Sequence, residues 1–241
     1  MSEKTFSELV DDAADAARQT DAPLRLRLKA VADEVRRLSP EFAHVVDRMV
    51  ARLADNGVGL AAPIPGEPMP EFVLPNETGR LVSLSQLLDK GPAVISFNRG
   101  HWCPYCRLNV DALAKAEPEI AQLGGQIVAI SPETVKWSAE LKAYAKAPFH
   151  ILSDMDGGYA LELGLLFWVG DEKRAAMTAG GYDISLFQGN HTWMLPVPAT
   201  FVVGRNGVIR ARHVDPDYRH RMEVEDLIDA LRAPDRDRAA E

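Results

Sequence analysis

The chain has 241 residues, of which 46% are hydrophobic, and carries a formal net charge of −8. That length holds one full α/β core with an appendage, and the hydrophobic content is that of a folded globular chain rather than a disordered one. The acidic balance gives no general attraction for nucleic acid or an anionic membrane, no apolar run approaches the ~20 residues of a membrane span, and Met1-Ser2-Glu3-Lys4 leads into an acidic helical segment instead of a signal peptide, so a cytoplasmic protein with neither partner is expected.

In chain order, Leu24, Leu28, Val31, Val35 and Leu38 recur at helical spacing, and Phe42, Val45, Val46, Met49, Val50 and Leu53 do so again after Ser39-Pro40. Ser39 can cap and Pro40 can start the second helix, while Gly57 ends it. Residues 1–58 therefore read as an N-terminal helical extension whose apolar stripes need cover, either from the main domain or from a second subunit; a homodimer is allowed. Residues 59–70, with Pro63, Pro65, Pro68 and Pro70, read as a Pro/Gly linker.

Residues 71–232 form the main domain. Phe72-Val73-Leu74 and Leu81-Val82 flank a turn and predict a hairpin, followed by a short helix around Leu84 to Leu88. The apolar run Ala93 to Phe97 is a buried strand, the helix after it carries Leu108, Leu113 and Ile120, and Gly124-Gly125 turns the chain into the strand Ile127 to Ile130. A strand, helix, strand unit of this kind is expected to be parallel and right-handed. Thr134 to Ala147 predicts a helix and Phe149 to Leu152 a short strand. Ser153-Asp154-Met155-Asp156-Gly157-Gly158 places its glycine too early for a calcium loop and reads as a turn with a helix cap. Ala160 to Phe167 and Asp171 to Ala179 are helical or mixed, and Gly180 to His191 is a polar loop that could line a substrate entrance. Thr200 to Val203 and Val208 to Ala211 flank an Asn-Gly turn and predict an antiparallel edge pair, Val224 to Leu231 a closing helix, and 233–241 a charged tail. Alternating strands and helices ending in a hairpin and a helix give an α/β sheet of mixed direction.

Both cysteines of the chain sit at one strand-to-helix junction, Phe97-Asn98-Arg99-Gly100-His101-Trp102-Cys103-Pro104-Tyr105-Cys106-Arg107. Pro104 suits a first helical position, because its φ is preset and its missing amide hydrogen would be an orphan there. The free amides and dipole of that helix end favour the thiolate of Cys103, and reactive cysteines in such settings have pKa values of roughly 3.5 to 7.5. Cys106, one turn on, lies on the same helix face and can close a disulfide with Cys103. A zinc site would need two more ligands; there is no further cysteine, and His44, His101, His150, His191, His213 and His220 contain no His-x3-5-His pair. Neither a metal nor a cofactor is expected, and in a reducing compartment the pair reads as a cycling redox pair rather than a structural cross-link.

With Ile130-Ser131-Pro132, Leu152-Ser153-Asp154, the segment Trp193 to Phe201 and Val214-Asp215-Pro216-Asp217-Tyr218 added to the cysteine junction, the chain from about Pro65 to Leu231 resembles the peroxiredoxin-like proteins of the alkyl hydroperoxide reductase/thiol-specific antioxidant group, within the thioredoxin-like superfamily. The resemblance implies a thioredoxin-like mixed sheet flanked by helices, with Cys103 attacking a peroxide, Cys106 closing the disulfide, and an external thiol (thioredoxin, glutaredoxin or a low-molecular-weight thiol) as reductant. It also implies that Pro198 is the cis-proline facing the pair. Where ordinary members carry a proline seven residues and a threonine or serine three residues before the attacking cysteine, this chain has Ser96 and Gly100, and Pro198 takes the place of their late arginine. Arg99 or Arg107 could supply that guanidinium instead. Trp102, Pro104 and Tyr105 resemble the active loops of thioredoxins and glutaredoxins, so the alternative function is a disulfide oxidoreductase acting on a protein or small-molecule disulfide without significant peroxidase activity. A third reading is a redox-sensing interaction protein in which disulfide formation shifts the Leu24 to Leu53 helices.

Overall fold

A computed structural model of the chain describes residues 4–235. Helix α1 (Phe6–Arg18) opens on a capping box: the Thr5 hydroxyl accepts from the Glu8 amide, and the Glu8 carboxylate accepts from the Thr5 amide at 2.7 Å. Between α2 (Leu24–Leu38) and α3 (Pro40–Asp55) the Ser39 hydroxyl accepts from the Phe42 amide at 3.2 Å and Pro40 takes the first helical position, as its sequence predicts. The apolar stripes of these helices are buried on the main body of the chain, where Val10, Leu28, Val31, Val46 and Met49 share one core with Ile95, Phe97 and Phe201. The Pro/Gly stretch that follows lies along the sheet, with the Gly66 amide donating to the Ile209 carbonyl and the Met69 amide to the Gly207 carbonyl, both at 2.9 Å.

Strands β1 (Val73–Pro75) and β2 (Leu81–Ser83) form the predicted hairpin, and α4 (Leu84–Leu88) follows. Next come β3 (Ala93–Phe97), α5 (Pro104–Gln122), β4 (Gln126–Ser131), α6 (Val135–Ala145) and β5 (His150–Ser153). The carboxylate of Asp154 accepts from the Tyr159 and Ala160 amides at 3.0 and 2.8 Å, so the acidic turn does cap a helix, α7 (Gly158–Glu162). Beyond β6 (Leu166–Trp168) and α8 (Asp171–Ala179), the expected polar loop contains α9 (Ile184–Gln188), started by Asp183, whose carboxylate accepts from the Ser185 amide at 3.0 Å. Then β7 (Met194–Pro196) pairs antiparallel with β6, and β8 (Ala199–Val203), β9 (Ile209–Val214) and α10 (Val224–Arg232) complete the described chain. Of the expected tail 233–241, residues 236–241 lie outside the described residues.

The central sheet has the order β5-β4-β3-β8-β9, parallel from β5 to β3 and antiparallel across β3-β8 and β8-β9. Only β9 is an edge strand of the predicted pair; β8 enters the middle of the sheet because all five of its residues are buried and need cover on both faces. Ile95, Phe97 and Phe201 point to the face shared with α1 to α3, whereas Val94, Ala129 and Val202 point to the face shared with α6 and α10. Helix α5 carries residues of both clusters, Leu108 and Ala112 in one and Val110 and Leu113 in the other. The expectation of a cis bond at Pro198 is overturned: no peptide bond among the described residues is cis. A trans bond carries the chain in an extended path from β7 into β8, with the Val197 amide held to the Leu165 carbonyl at 2.8 Å, and trans is the ordinary preference of an X-Pro peptide.

Candidate active site

The site forms where β3 ends and α5 begins. Cys103 is the N-cap residue of α5 with extended backbone, and Pro104 occupies the first turn. Both cysteines are free and neither exposes any surface. The Cys106 sulfur accepts from the Arg99 amide at 3.2 Å, and the Arg99 guanidinium reaches back over the loop to donate to the Cys103 sulfur at 3.0 Å through Nη2. The guanidinium is itself clamped between rings, its Cζ 3.3 Å from the centroid of Tyr218 and 5.2 Å from that of Trp102. A second arginine, Arg221 from the segment after β9, places Nη2 3.5 Å from the Cys106 sulfur and donates from Nη1 to the Tyr218 and His220 carbonyls.

Burial pushes the Cys103 thiol up, but the hydrogen bond from Cys106 and the Arg99 and Arg221 charges outweigh it and hold Cys103 well below the usual thiol range. Cys106 moves the other way, raised by burial and by the neighbouring Cys103 anion. The proton of the pair therefore resides on Cys106, and the anion on Cys103.

The loop between Arg99 and Cys103 is fixed by a buried acid. Glu133 is fully enclosed and accepts from the His101 backbone amide and from His101 Nδ1, each at 2.7 Å. Burial raises its pKa against the pull of His101. The His101 ring stacks on Trp137 at 4.6 Å and meets the Phe187 ring edge-on at 4.7 Å. This packing explains Gly100: its φ is +142°, and a Cβ there would lie 2.6 Å from the Glu133 carboxyl carbon and 2.7 Å from the Trp102 indole nitrogen. A threonine or serine there would be strained and would have to displace Glu133 or Trp102.

Above the cysteine loop lies a cavity of about 40 Å³, bounded by Arg99, Trp102 and Pro104 beside Cys103, by Tyr218, by Lys173 and Met177 of α8, and by Phe6, Val10, Val35 and Phe42 of α1 to α3. The N-terminal helices thus roof the site. Arg107, offered by the sequence as a second guanidinium for the sulfur, instead pairs with Asp11 of α1 and lies over the Tyr144 ring at 4.9 Å. Pro198 is buried between β7 and β8. Lys173, Glu133 and Arg221 carry no local signature in sequence; Tyr218 lies in one of the segments that carry the family resemblance, but nothing there marks it as the ring beneath Arg99. Among the described residues no group of three or more His, Cys, Asp or Glu side chains is placed to hold a metal ion.

A buried Cys-x-x-Cys at the start of a helix, on a mixed sheet of this order, defines a thioredoxin-like protein of the peroxiredoxin type. The sequence model of the AhpC/TSA family matches residues 65–212, more than half of the chain, and the protein belongs to that family. It is 29% identical over 100 residues to a Mycobacterium tuberculosis protein provisionally named a peroxiredoxin, covering 42% of this chain and 65% of that protein. To chloroplastic peroxiredoxin Q of Oryza sativa subsp. japonica it is 26% identical over 145 residues, covering 60% of this chain and 56% of the relative. Among solved structures it is similar to peroxidoxin BcpB of M. tuberculosis, with TM-score 0.55 and 21% identity over 70% of this chain and 96% of that one. The peroxiredoxin 6 of Arenicola marina gives TM-score 0.54 and 17% identity over 70% and 72%. The chain therefore spans less than two thirds of the length of these curated relatives, and at these identities the structures speak to the fold alone.

Proposed function

We propose that the protein is a thiol peroxidase that reduces hydrogen peroxide or small organic hydroperoxides through Cys103. The observation that carries this reading is the 3.0 Å contact between Arg99 Nη2 and the Cys103 sulfur in a buried site, where a guanidinium both holds the thiolate and can receive peroxide oxygen. The Cys103 thiolate attacks the terminal peroxide oxygen, an S–O bond forms as the O–O bond breaks, and the sulfur is oxidised to a sulfenic acid while the second oxygen leaves and takes up a proton as water or alcohol. Cys106, kept as a thiol, condenses with the sulfenic acid to a disulfide and releases water; an external dithiol then reduces the disulfide by exchange. Thioredoxin, glutaredoxin or a low-molecular-weight thiol can supply those electrons, and a reducing, cytoplasmic setting suits the cycle. Among the described residues no helix is long and apolar enough to cross a membrane. In the same reading residues 71–232 are the redox domain, 1–58 the helical extension that roofs it and 59–70 the connection.

The alternative, a protein disulfide reductase, rests on the Trp102 to Cys106 loop. The full burial of both sulfurs favours the peroxidase, since a small oxidant reaches a buried sulfur with less rearrangement than a protein disulfide needs. Stopped-flow oxidation of the reduced protein tests the assignment. Cys103→Ser should abolish reaction with peroxide, and Cys106→Ser should allow one round of oxidation without recycling. The reverse pattern would exchange the two roles.

A further inference from the structure

Lys173 stands out from every other charged side chain around the site. It exposes 2% of its surface, and among the described residues its ammonium makes no ion pair and no hydrogen bond; it lies over the Phe42 ring, 3.6 Å from Nζ to the centroid. Desolvating an ammonium without a counter-charge is costly, so an isolated buried lysine beside a reactive centre points to a role that the packing does not explain. Lys173 borders the same cavity as Arg99, and among the described residues these are the only charged groups on its wall. Among the described residues no carboxylate lines that wall, and the remainder is aromatic and aliphatic.

We propose that Lys173 is a catalytic proton donor that protonates the leaving oxygen of the peroxide. This inference rests on the peroxidase reading above. Arg99 and Lys173 both line the cavity, with different tasks: Arg99 holds the Cys103 sulfur, and Lys173 of α8 is the charged group left to serve the departing oxygen. As sulfur attacks, the S–O bond takes the thiolate's electron pair, the O–O electron pair goes to the departing hydroxide or alkoxide, and a proton from Nζ converts it to water or alcohol, leaving Lys173 as the amine until solvent reprotonates it. Charge moves in the direction that drives this transfer. Burial and the Arg99 charge hold the Lys173 pKa well below its usual value, the Cys103 anion opposes them, and Arg219 adds to the lowering. Consuming the anion on Cys103 removes the opposing influence, so the ammonium becomes more acidic as the leaving oxygen becomes basic.

Two small oxidants with different leaving groups, each compared between variant and wild type, separate proton donation from packing or simple attraction. Hydrogen peroxide expels hydroxide, which needs a proton; peracetic acid expels acetate, which does not. In stopped-flow oxidation of the reduced protein, Lys173→Met and Lys173→Gln should slow the hydrogen peroxide step by about a hundredfold or more and leave the peracetic acid step nearly unchanged, with the thiolate absorbance of Cys103 retained. An equal loss with both oxidants, or no loss with either, would overturn the proposal. If neither variant folds, the wild type decides, because solvent deuterium should slow its reaction with hydrogen peroxide and not with peracetic acid; equal effects on both would overturn it. A wild-type protein that reacts with hydrogen peroxide no faster than a free thiol would instead sink the peroxidase reading, and this inference with it.

Discussion

Arg99 is the residue on which the reactivity of the pair turns. The Arg99 charge and its hydrogen bond help to hold the Cys103 thiolate, so Arg99→Gln should raise the Cys103 midpoint. The sign follows from the anion losing its partner. The thiolate absorbance of the wild type should persist well below the midpoint near pH 8.5 of a free thiol, and in the variant it should fade from a higher pH downward; an unchanged titration would show that Arg99 does not hold the anion. Gly100 makes a different prediction. Because its φ is +142° and a Cβ would strike Glu133 and Trp102, Gly100→Thr should not restore a peroxide-positioning hydroxyl. It should displace the loop and slow oxidation of Cys103, whereas faster oxidation would contradict the packing argument. At this scale the sequence was legible wherever the site is contiguous: Arg99, Trp102, Cys103, Pro104 and Cys106 fall within eight residues of one strand-to-helix junction. It was silent on Glu133, Lys173 and Arg221, which reach the site from separate elements, and a single buried lysine on a helix has no pattern that distinguishes it from a solvated one.

Among the elements, one buried carboxylate ties two helices of the extension to the redox core, beside the apolar core they share. Asp111 of α5, 2% exposed, is met by Arg18 of α1 at 2.8 Å, by Arg27 of α2 at 3.2 Å and by Lys115 of its own helix at 2.8 Å. Removing one side of a buried ionic cluster leaves the other uncompensated, so Asp111→Ala should cost about 3–5 kcal/mol in a urea unfolding experiment. A change within 0.5 kcal/mol, the usual range for a surface site, would show that the cluster does not anchor the helices. The heptad-like stripes of α2 and α3 and the Ser39-Pro40 boundary were readable because caps and periodicity are local. What covers those stripes was not, since an apolar stripe specifies burial but not its partner. The same limit explains β8: two β-rich runs around Asn-Gly predict a hairpin correctly, yet which strand is interior depends on β3, a hundred residues away.

For the whole molecule, the consequence of that docking is an enclosed redox centre. Phe6, Val10, Val35 and Phe42 close the cavity over Arg99 and Trp102, and both sulfurs are removed from solvent. An enclosed thiolate with a guanidinium at 3.0 Å is arranged for a small oxidant, and the desolvated surroundings strengthen the electrostatics that stabilise the departing charge. Such a site favours peroxide chemistry at Cys103 over exchange with a protein disulfide. The most direct test is the second-order rate of oxidation of the reduced wild-type protein by hydrogen peroxide, followed by stopped flow at neutral pH beside a free thiol. Cys103 should be oxidised orders of magnitude faster than the free thiol, ending in the Cys103–Cys106 disulfide; oxidation no faster than the free thiol, together with brisk reduction of a protein disulfide, would contradict peroxide chemistry at this site.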